Sequence, residues 1–476
     1  MFNSCKEVAA FCEKEGIRFI DFKIADLAGR WHHLTIPSGT FTEETLEKGI
    51  GFDGSSYGFL SVEKSDMVFI PDIRTAFTDP FAEEPTLVMI GDIYTLAGGR
   101  KRFGGDPRFV AEKAEKYMAE TGIADKGLLG PEFEFYILDH FSFDISPQHM
   151  EVMIDSQQAE WNTANKDGRN PGYKVMHHGG YHADIPHDSS YNLRNEMVTK
   201  LLKHGVPVKY HHSENGGPGQ VEIELCFSGL RESGDRTLLL KYIVKNTAMA
   251  NGKTVTFMPK PFYGEAGNGM HVHMQFFKEG KPVFYDENGY SCLSETALYA
   301  IGGILKHSPA MMAFTNPSTN SYKRLVPGYE APVSICFGTA NRSSVIRIPG
   351  YATSPEDKRF EFRPLDAACN PYLAYSALVM AALDGINNKI DPVAEGFGPY
   401  DVNVYALDEE QKGRIKALPK SLWEAADCLE KDHAFLLEGG VFTPELIKNQ
   451  MEKIRADELL VSRVPHPIEY KLYYDL

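Results

Sequence analysis

Four short segments place titratable side chains two residues apart, with apolar residues between them. The groups are Glu132 and Glu134 in "GPEFEFYIL", Glu222 and Glu224 in "QVEIEL", His271 and His273 in "GMHVHMQ", and Arg359, Glu361 and Arg363 in "KRFEFRPL". Because side chains alternate between the faces of a β-strand, each segment predicts a strand with its titratable groups on one face. A solvated strand face explains any one segment. The four together, including histidines that add nothing to solubility at neutral pH, favour a shared polar surface.

The residue types on this surface indicate metal and phosphate chemistry. Its five glutamates would repel one another strongly unless cations neutralised them. Carboxylate-rich sites with little histidine and no thiolate suit Mg²⁺ or Mn²⁺. Arginine pairs with phosphate or carboxylate through two parallel hydrogen bonds, so arginines beside a divalent ion point to a nucleotide. The chain has neither a GxxxxGK[ST] loop nor a GxGxxG turn opening a helix, which argues against P-loop and Rossmann sites.

Two loops add candidate residues. "GFDGSSYGF" carries Asp53, and "NPSTNSYKRLVPGYEAP" carries Arg324 and Glu330. Each loop is equally well explained as a surface turn, since Asp, Gly, Ser and Pro are the residues that turns require. The second loop is long for a plain connection, which favours a lid.

The overall composition excludes several classes of protein. The chain has 476 residues, 43% hydrophobic and 24% charged, with a net charge of −16 and no Lys/Arg-rich run. This acidity argues against a nucleic-acid partner. The seven cysteines are scattered and never spaced CxxC, which argues against a disulfide framework or a thiolate zinc site. Without an apolar run long enough to cross a bilayer, we expect a cytoplasmic protein with no membrane partner.

The pattern of elements predicts two domains. Short strands fill the first hundred residues, and a glycine-rich segment then precedes a helix framed by Asp106 as N-cap, Pro107 at its first position and Gly122 after its last turn. We predict a boundary near 100–107. Beyond it we predict strands at 128–138, 221–227 and 270–277, and helices near 190–204, 235–251, 293–307 and 371–388. The helices at 235–251 and 371–388 are apolar around much of their circumference, which predicts burial.

Eight ordered motifs resemble those of bacterial-type (type I) glutamine synthetase, and one insertion resembles its longer subdivision. The motifs are "FDGSS", "GPEFEF", "HHSENGGPGQVEIE", "GNGMHVHM", "NPSTNSYKRLVPGYEAP", "NRSSVIRIP", "RFEFRPLDAACNPYLAY" and "HPIEYKLYYDL". The resemblance implies an α+β fold with an N-terminal β-grasp domain (1–105) and a catalytic domain (106–476) built on an antiparallel funnel-like barrel. It also implies ATP-dependent condensation of L-glutamate with ammonium, in a dodecamer of two hexameric rings with each site shared between neighbouring subunits.

The resemblance also implies a role for each matching residue. It implies two or more Mg²⁺ or Mn²⁺ ions per site, one held by Glu134, Glu214 and Glu222 and another by Glu132, His271 and Glu361. It replaces Glu224, which strand periodicity favours, by Glu214. The remaining roles are nucleotide binding by His273, Arg342, Arg347 and Arg359; glutamate binding by Gly267, Arg324 and Arg363; and an ammonium pocket of Asp53, Tyr181, Glu214 and Glu330. Asp53 acts as the base from the adjacent subunit, Glu330 lies in the closing flap, and Arg342 contacts the transferring phosphoryl group.

Several positions depart from the family pattern. Ala266 replaces a usual asparagine near the glutamate site, and Lys209 and Gln275 stand where an acid and a serine are common near the nucleotide. These changes are either neutral, which we favour, or mark a changed specificity. Tyr405 occupies the place of the regulatory tyrosine, but its usual flanking sequence is missing, so we expect no adenylylation.

Three alternatives remain open from the sequence. A γ-glutamyl-amine (polyamine) ligase would share the fold and metals but lose acids of the ammonium pocket. A metal-dependent hydrolase rests on the HxH pair alone, because the other expected ligands are glutamates. A non-catalytic relative would tolerate the loss of ligands, whereas all six ligand positions are filled.

Overall fold

The computed structural model describes residues 2–96, 98–166, 170–327 and 331–475, and its N-terminal part is a β-grasp domain. Its seven-stranded sheet has the order β2-β1-β6-β4-β3, with β5 and β7 also pairing with β6, and β1 and β6 run parallel. The elements are α1 (Cys5–Glu15), β1 (Phe19–Ala25), β2 (Trp31–Pro37), α2 (Glu43–Glu47), β3 (Ile50–Asp53), β4 (Asp66–Pro71), β5 (Phe77–Thr78), β6 (Thr86–Thr95) and β7 (Lys101–Arg102).

The rest of the chain contains both helices and strands. The strands are β8 (Lys126–Leu138), β9 (His140–Ser146), β10 (His149–Asp155), β11 (Val208–Ser213), β12 (Gln220–Leu225), β13 (Ser228–Gly229), β14 (Thr254–Thr256), β15 (Met270–Lys278), β16 (Lys281–Pro282), β17 (Ser334–Thr339), β18 (Ser344–Ile348) and β19 (Phe360–Phe362). The helices are α3 (Pro107–Glu120), α4 (Tyr191–Lys203), α5 (Leu230–Ala250), α6 (Glu295–Thr315), α7 (Ser321–Arg324), α8 (Pro371–Asn387), α9 (Glu409–Arg414), α10 (Leu422–Lys431), α11 (Ala434–Leu437), α12 (Pro444–Ser462) and α13 (Pro467–Tyr473).

A ten-stranded sheet forms the framework of this second part. Its strands follow the order β11-β12-β8-β15-β19-β18-β17, with β13 and β14 also on β8 and β16 on β15. All of its neighbouring pairs are antiparallel except β17 with β18. The α+β class and the largely antiparallel ten-stranded sheet agree with the predicted fold. Strands β9 and β10 form a separate hairpin that the sequence did not predict.

Local signals define α3 as predicted. The Asp106 side chain accepts a hydrogen bond from the amide of Arg108, Pro107 occupies the first turn, and Gly122 adopts a left-handed backbone with φ of 70°. Arg108 is itself buried and donates to Asp72, Asp92 and Asp235. It therefore joins the β-grasp sheet to helix α5.

Helices α5, α6 and α8 pack behind the large sheet. Nearly every residue of α8 is buried and α5 buries an extended face, which confirms the prediction of core helices at 371–388 and 235–251. Helix α6 continues to Thr315 although Pro309 lies inside it, so the predicted end near residue 307 was wrong. The missing N–H of Pro309 leaves the carbonyl of Leu305 without its helical donor. The Ser308 hydroxyl donates to that carbonyl at 2.9 Å, which compensates for the loss.

In the described ranges, no helix is both long enough and apolar enough to cross a bilayer.

Candidate active site

Four neighbouring strands bring the spaced titratable residues onto one surface. Strand β8 pairs with β12 so that Glu134 lies opposite Glu222 and Glu132 lies opposite Glu224. On its other side β8 pairs with β15, which places His271 opposite Glu132. Strand β19 then places Glu361 opposite His273. The four strands therefore form one continuous polar surface, as their common pattern predicts.

This surface forms the floor of a cavity of about 370 Å³. Twelve of the residues assigned roles from the sequence line it: Glu132, Glu134, Tyr181, Glu214, Glu222, Gly267, His271, Arg324, Arg342, Arg347, Glu361 and Arg363. Lys209 and Ala266, two of the departures from the family pattern, line it as well. The cavity therefore combines glutamates, arginines and two histidines, His212 and His271, at a scale that fits small substrates.

Glu132, His271 and Glu361 form the first group that could hold a divalent ion. Nδ1 of His271 lies 3.3 Å from Glu132 and 3.5 Å from Glu361. Burial alone would raise the carboxyl pKa values. The charges of His273 and His271 outweigh it and hold the pKa of Glu132 well below its usual range. Arg363, 2.5 Å from Glu361, is the main cause that lowers the pKa of Glu361 to about 2.

His212, Glu214 and Glu222 form the second such group. The two ring nitrogens of His212 lie 3.5 Å from Glu214 and 3.5 Å from Glu222. Burial, together with the charges of Glu134 and Glu222, raises the pKa of Glu214 to about 8. Burial and the nearby carboxylates raise the pKa of Glu222 well above its ordinary value. A divalent ion would relieve this repulsion.

Glu134, expected in the second ligand set, lies between the two groups. One of its oxygens accepts a hydrogen bond from the Gly269 amide at 2.6 Å, and the other lies 3.9 Å from Nε2 of His271. His212 was missed by the sequence reasoning. Strand alternation through "KYHHSE" gives the signal, because Tyr210 and His212 share one face and Glu214 continues it.

Arg324 is held by main-chain carbonyls at one end of the cavity. It donates to Pro364 at 2.7 Å and to Arg363 at 3.2 Å. A Cβ added at Gly267 would lie 2.3 Å from the carbonyl of Pro259, and one at Gly269 would lie 2.5 Å from the Arg324 guanidinium. These glycines therefore allow the chain to pass close to Arg324.

Tyr181 lines the cavity on the side of the second group. Its ring stacks on His182 at 4.1 Å, and its edge approaches His212 at 5.5 Å. Nearby, the Tyr136 hydroxyl lies 2.7 Å from the carbonyls of both Gly216 and Ala266. This contact fixes the backbone next to Gly267.

Two residues predicted to bind nucleotide do not line the cavity. His273 is fully buried, with Nε2 2.8 Å from Glu132. The guanidinium of Arg359 lies over the rings of Tyr351 and Phe227, at 5.4 and 5.8 Å. In this conformation His273 contacts a glutamate of the floor, and Arg359 packs on Tyr351, which lines the cavity.

Two residues assigned to the ammonium pocket are also not part of the cavity lining. Asp53 is exposed on the N-terminal domain, where it accepts hydrogen bonds from Ser55 and Ser56 that lower its pKa. Glu330 lies outside the described residues. Gln275, the third departure from the family pattern, donates to the carbonyl of Glu356 at 2.8 Å.

Comparison with known proteins gives consistent matches along the chain. The family model of the glutamine synthetase β-grasp domain matches residues 16–96, and that of the glutamine synthetase catalytic domain matches residues 104–473. Glutamine synthetase of Frankia alni is 46% identical, covering 100% of both chains. That of Aquifex aeolicus is 46% identical over 99% of both. The Mycobacterium tuberculosis enzyme is 45% identical over 99% of this chain and 98% of its own.

Solved structures show the same similarity. A cryo-EM structure of Plasmodium falciparum glutamine synthetase has a TM-score of 0.88 at 28% identity, covering 99% of both chains. A complex of GmaS with ADP has a TM-score of 0.81 at 25% identity, covering 98% of this chain and 99% of its own.

Proposed function

The chain belongs to the glutamine synthetase family, and from this premise we propose how the residues of its cavity share the reaction. The protein is an ATP-dependent ligase that joins L-glutamate and ammonium to give L-glutamine, ADP and phosphate through γ-glutamyl phosphate. One observation supports this assignment most strongly. Two groups of potential metal ligands share the same cavity with Arg324, Arg342, Arg347 and Arg363.

The family uses divalent metal ions, and we propose Mg²⁺ or Mn²⁺ at two or more positions. The donor sets fit hard cations, because buried carboxylates dominate them, and burial together with neighbouring carboxylates raises the pKa values of Glu214 and Glu222. The ligands would be Glu134, Glu214 and Glu222 for one ion, with His212 beside them, and Glu132, His271 and Glu361 for the other. Bound ions would neutralise the nucleotide phosphates and stabilise the transferring phosphoryl group.

The arginines orient the two anionic substrates. Arg324 and Arg363 would pair with glutamate, with Gly267 giving the space for it to approach. Arg342 would contact the transferring phosphoryl group, and Arg347, Arg359 and His273 would support the nucleotide. Fixed positive charge lowers the barrier because phosphoryl charge spreads in the transition state and the groups that stabilise it are already in place. The ADP of the GmaS complex supports a nucleotide in this fold.

Ammonium would enter between subunits. Asp53 is exposed and does not line the cavity of its own chain, which supports a role at the site of a neighbouring subunit. There its carboxylate, with Tyr181, Glu214 and Glu330, would attract the cation and accept its proton so that ammonia can attack. This arrangement agrees with a dodecamer of two hexameric rings.

We also propose the domain boundaries of the chain and the compartment in which it works. We assign residues 1–105 to the β-grasp domain and 106–476 to the catalytic domain. A reducing, cytoplasmic compartment fits the seven cysteines, all of which are free thiols.

Ala266 gives a specific reason to test organic amines as well, since it replaces a side-chain amide in the cavity lining. The experiment measures phosphate release by the purified protein with Mg²⁺, ATP and L-glutamate, and compares ammonium with ethylamine, putrescine and spermidine. We expect ammonium-dependent release with L-glutamine as product. A preference for an organic amine would instead assign a γ-glutamyl-amine ligase, and inactivity with every acceptor would indicate a non-catalytic relative. Arg324→Ala serves as the inactive control.

A further inference from the structure

A second cluster of potential metal ligands lies beside the active site, where two segments of the chain meet. His177 and His178 belong to segment 174–182, and Glu265 belongs to segment 259–269. One ligand atom from each of the three residues lies within 4.8 Å of the others. Nδ1 of His177 lies 2.6 Å from Glu265. The cluster shares no residue with the two groups in the cavity.

The backbone of segment 174–182 brings two consecutive histidines together. In an extended strand neighbouring side chains point to opposite faces. His178 instead adopts a left-handed conformation with φ of 54°, which is uncommon for residues other than glycine. The two imidazole rings consequently lie with their centres 3.9 Å apart and nearly perpendicular.

The carboxylate of Glu265 indicates that the cluster is built for a ligand. The residue is only 8% exposed, and its Oε2 atom is buried without a hydrogen-bond partner in the part of the chain that the structure describes. A buried carboxylate oxygen left without a partner is costly unless a cation approaches it. The chain makes room for this group at Gly217, where an added Cβ would lie 2.8 Å from Oε2.

We propose that His177, His178 and Glu265 bind Zn²⁺ or a similar transition-metal ion. Two imidazoles and one carboxylate are a typical zinc ligand set, and they leave a fourth position for water. This set differs from the carboxylate-rich cavity groups, which suit Mg²⁺ or Mn²⁺. The site therefore selects a different metal from the one used in catalysis.

The position of the ion explains what it does. Segment 174–182 carries Tyr181, and segment 259–269 carries Ala266 and Gly267, all of which line the active-site cavity. Next to Tyr181, Gly180 packs so closely on Glu214 that an added Cβ would lie 2.3 Å from its carbonyl oxygen. An ion held by both segments fixes Tyr181 relative to Gly267. This consequence rests on the proposed roles of Tyr181 and Gly267, whereas the metal site does not.

The test measures Zn²⁺ bound per chain by equilibrium dialysis of the full assembled protein in excess Mg²⁺. The variant His177→Gln/His178→Gln is compared with His140→Gln/His149→Gln, which removes two histidines from the exposed β9–β10 hairpin. We expect the first variant to bind one Zn²⁺ fewer per chain than the wild type, and the second to bind the same amount. Equal binding by all three proteins would overturn the proposal. Any Zn²⁺ that binds to the two groups in the cavity is common to all three proteins and does not affect the comparison.

A second measurement tests the link between the segments. Hydrogen exchange of the wild type should slow in residues 174–182 when Zn²⁺ is added, and the His177→Gln/His178→Gln variant should show no such change. Identical exchange in both proteins would contradict the link. Ammonium-dependent phosphate release without Zn²⁺ checks the proposed function separately, so failure of one proposal is distinguishable from failure of the other.

Discussion

The ammonium group of Lys209 lies 2.7 Å from the carboxylate of Glu224, which is almost completely buried. The other oxygen of Glu224 has no hydrogen-bond partner among the described residues. Lys209 therefore pairs with Glu224 inside the sheet, where Glu224 lies beside Glu132 and His273. Lys209 also lines the cavity, so the pair links the sheet interior to the active site.

Replacing Lys209 by methionine should destabilise the protein, because it leaves a buried carboxylate without its partner. We expect a loss of about 2 kcal/mol, below the range for fully buried pairs because Lys209 is partly exposed. The free energy of unfolding is measured in urea for Lys209→Met, Glu224→Gln and the double variant. The double variant should recover most of the loss. Additive effects of the two substitutions would show that the pair makes no contribution of its own.

This pair also shows what sequence alone could predict about the site. Strand alternation correctly grouped Glu132, Glu134, Glu222 and Glu361, because a period of two fixes the face. It could not separate Glu224 from the proposed ligands, since a partner on another strand depends on register. The pairing of β11 with β12 shifts between Val208 and Tyr210, and Lys209 lies at that irregularity.

In the fold, too, local sequence signals were predictive, whereas contacts between distant segments were not. Helix α3 was predicted closely because Asp106, Pro107 and Gly122 are local signals. Helix α6 was not, because its continuation through Pro309 depends on Ser308 and on packing against buried α8, which no local pattern reports. Arg324 could be placed in a loop, but its main-chain partners are about 40 residues further along the chain.

Binding of Mg²⁺ should release protons at pH 7. The pKa of Glu214 is raised to about 8, so its carboxyl holds a proton at pH 7 when no ion is bound, and burial with the neighbouring carboxylates raises the pKa of Glu222 in the same direction. A metal ion binds the deprotonated form, so its affinity should rise with pH up to about 8 and then level off. Isothermal titration calorimetry in two buffers of different ionisation enthalpy measures the protons released. A binding heat independent of the buffer would contradict this prediction, and Glu222→Gln should release fewer protons.

His307 should make stability depend on pH. Its ring nitrogens lie 2.9 Å from Asp384 and 2.8 Å from Asp432. Burial opposes its charge, but these hydrogen bonds outweigh burial and raise its pKa. The stabilisation is therefore fully present below the unfolded pKa of about 6.5 and is lost as pH rises through the higher folded value.

The His307→Gln variant tests whether the stabilisation by His307 decreases as pH rises. The melting temperature of the wild type should exceed that of the variant, and this difference should be larger at pH 6 than at pH 9. His433→Gln is a suitable control, because the ring of His433 bonds only to main-chain carbonyls among the described contacts. A difference that stayed constant with pH would mean that His307 is not charged in the folded protein.

Tyr405 should not accept an adenylyl group. Its hydroxyl donates a hydrogen bond to the carbonyl of Ala331, and the side chain is only partly exposed. Transfer of AMP would have to break this contact and expose the ring. Intact-mass spectrometry after incubation with ATP and an adenylyltransferase should show no added mass. An added AMP that disappears in Tyr405→Phe would prove the opposite.

Asp53 should serve the active site of a neighbouring subunit. Asp53→Ala should raise the KM for ammonium and leave ATP binding nearly unchanged, and Arg324→Ala should abolish activity from within its own cavity. If the two residues come from different subunits, mixed oligomers contain some sites with both intact. Random assembly of equal amounts of the two variants should restore about a quarter of the wild-type activity, because each site draws its two residues independently.

The comparison is made by co-expressing the two chains with different tags and purifying oligomers that carry both. A chain with both substitutions, co-expressed with Arg324→Ala, is the matched control, because no site in that mixture can contain Arg324. If Asp53 acted within its own chain, every chain in the test mixture would lack one residue. If the mixed oligomers were no more active than the Asp53→Ala protein alone, Asp53 would act at the cavity of its own chain. Recovered activity would instead mean that a single subunit has no complete ammonium site.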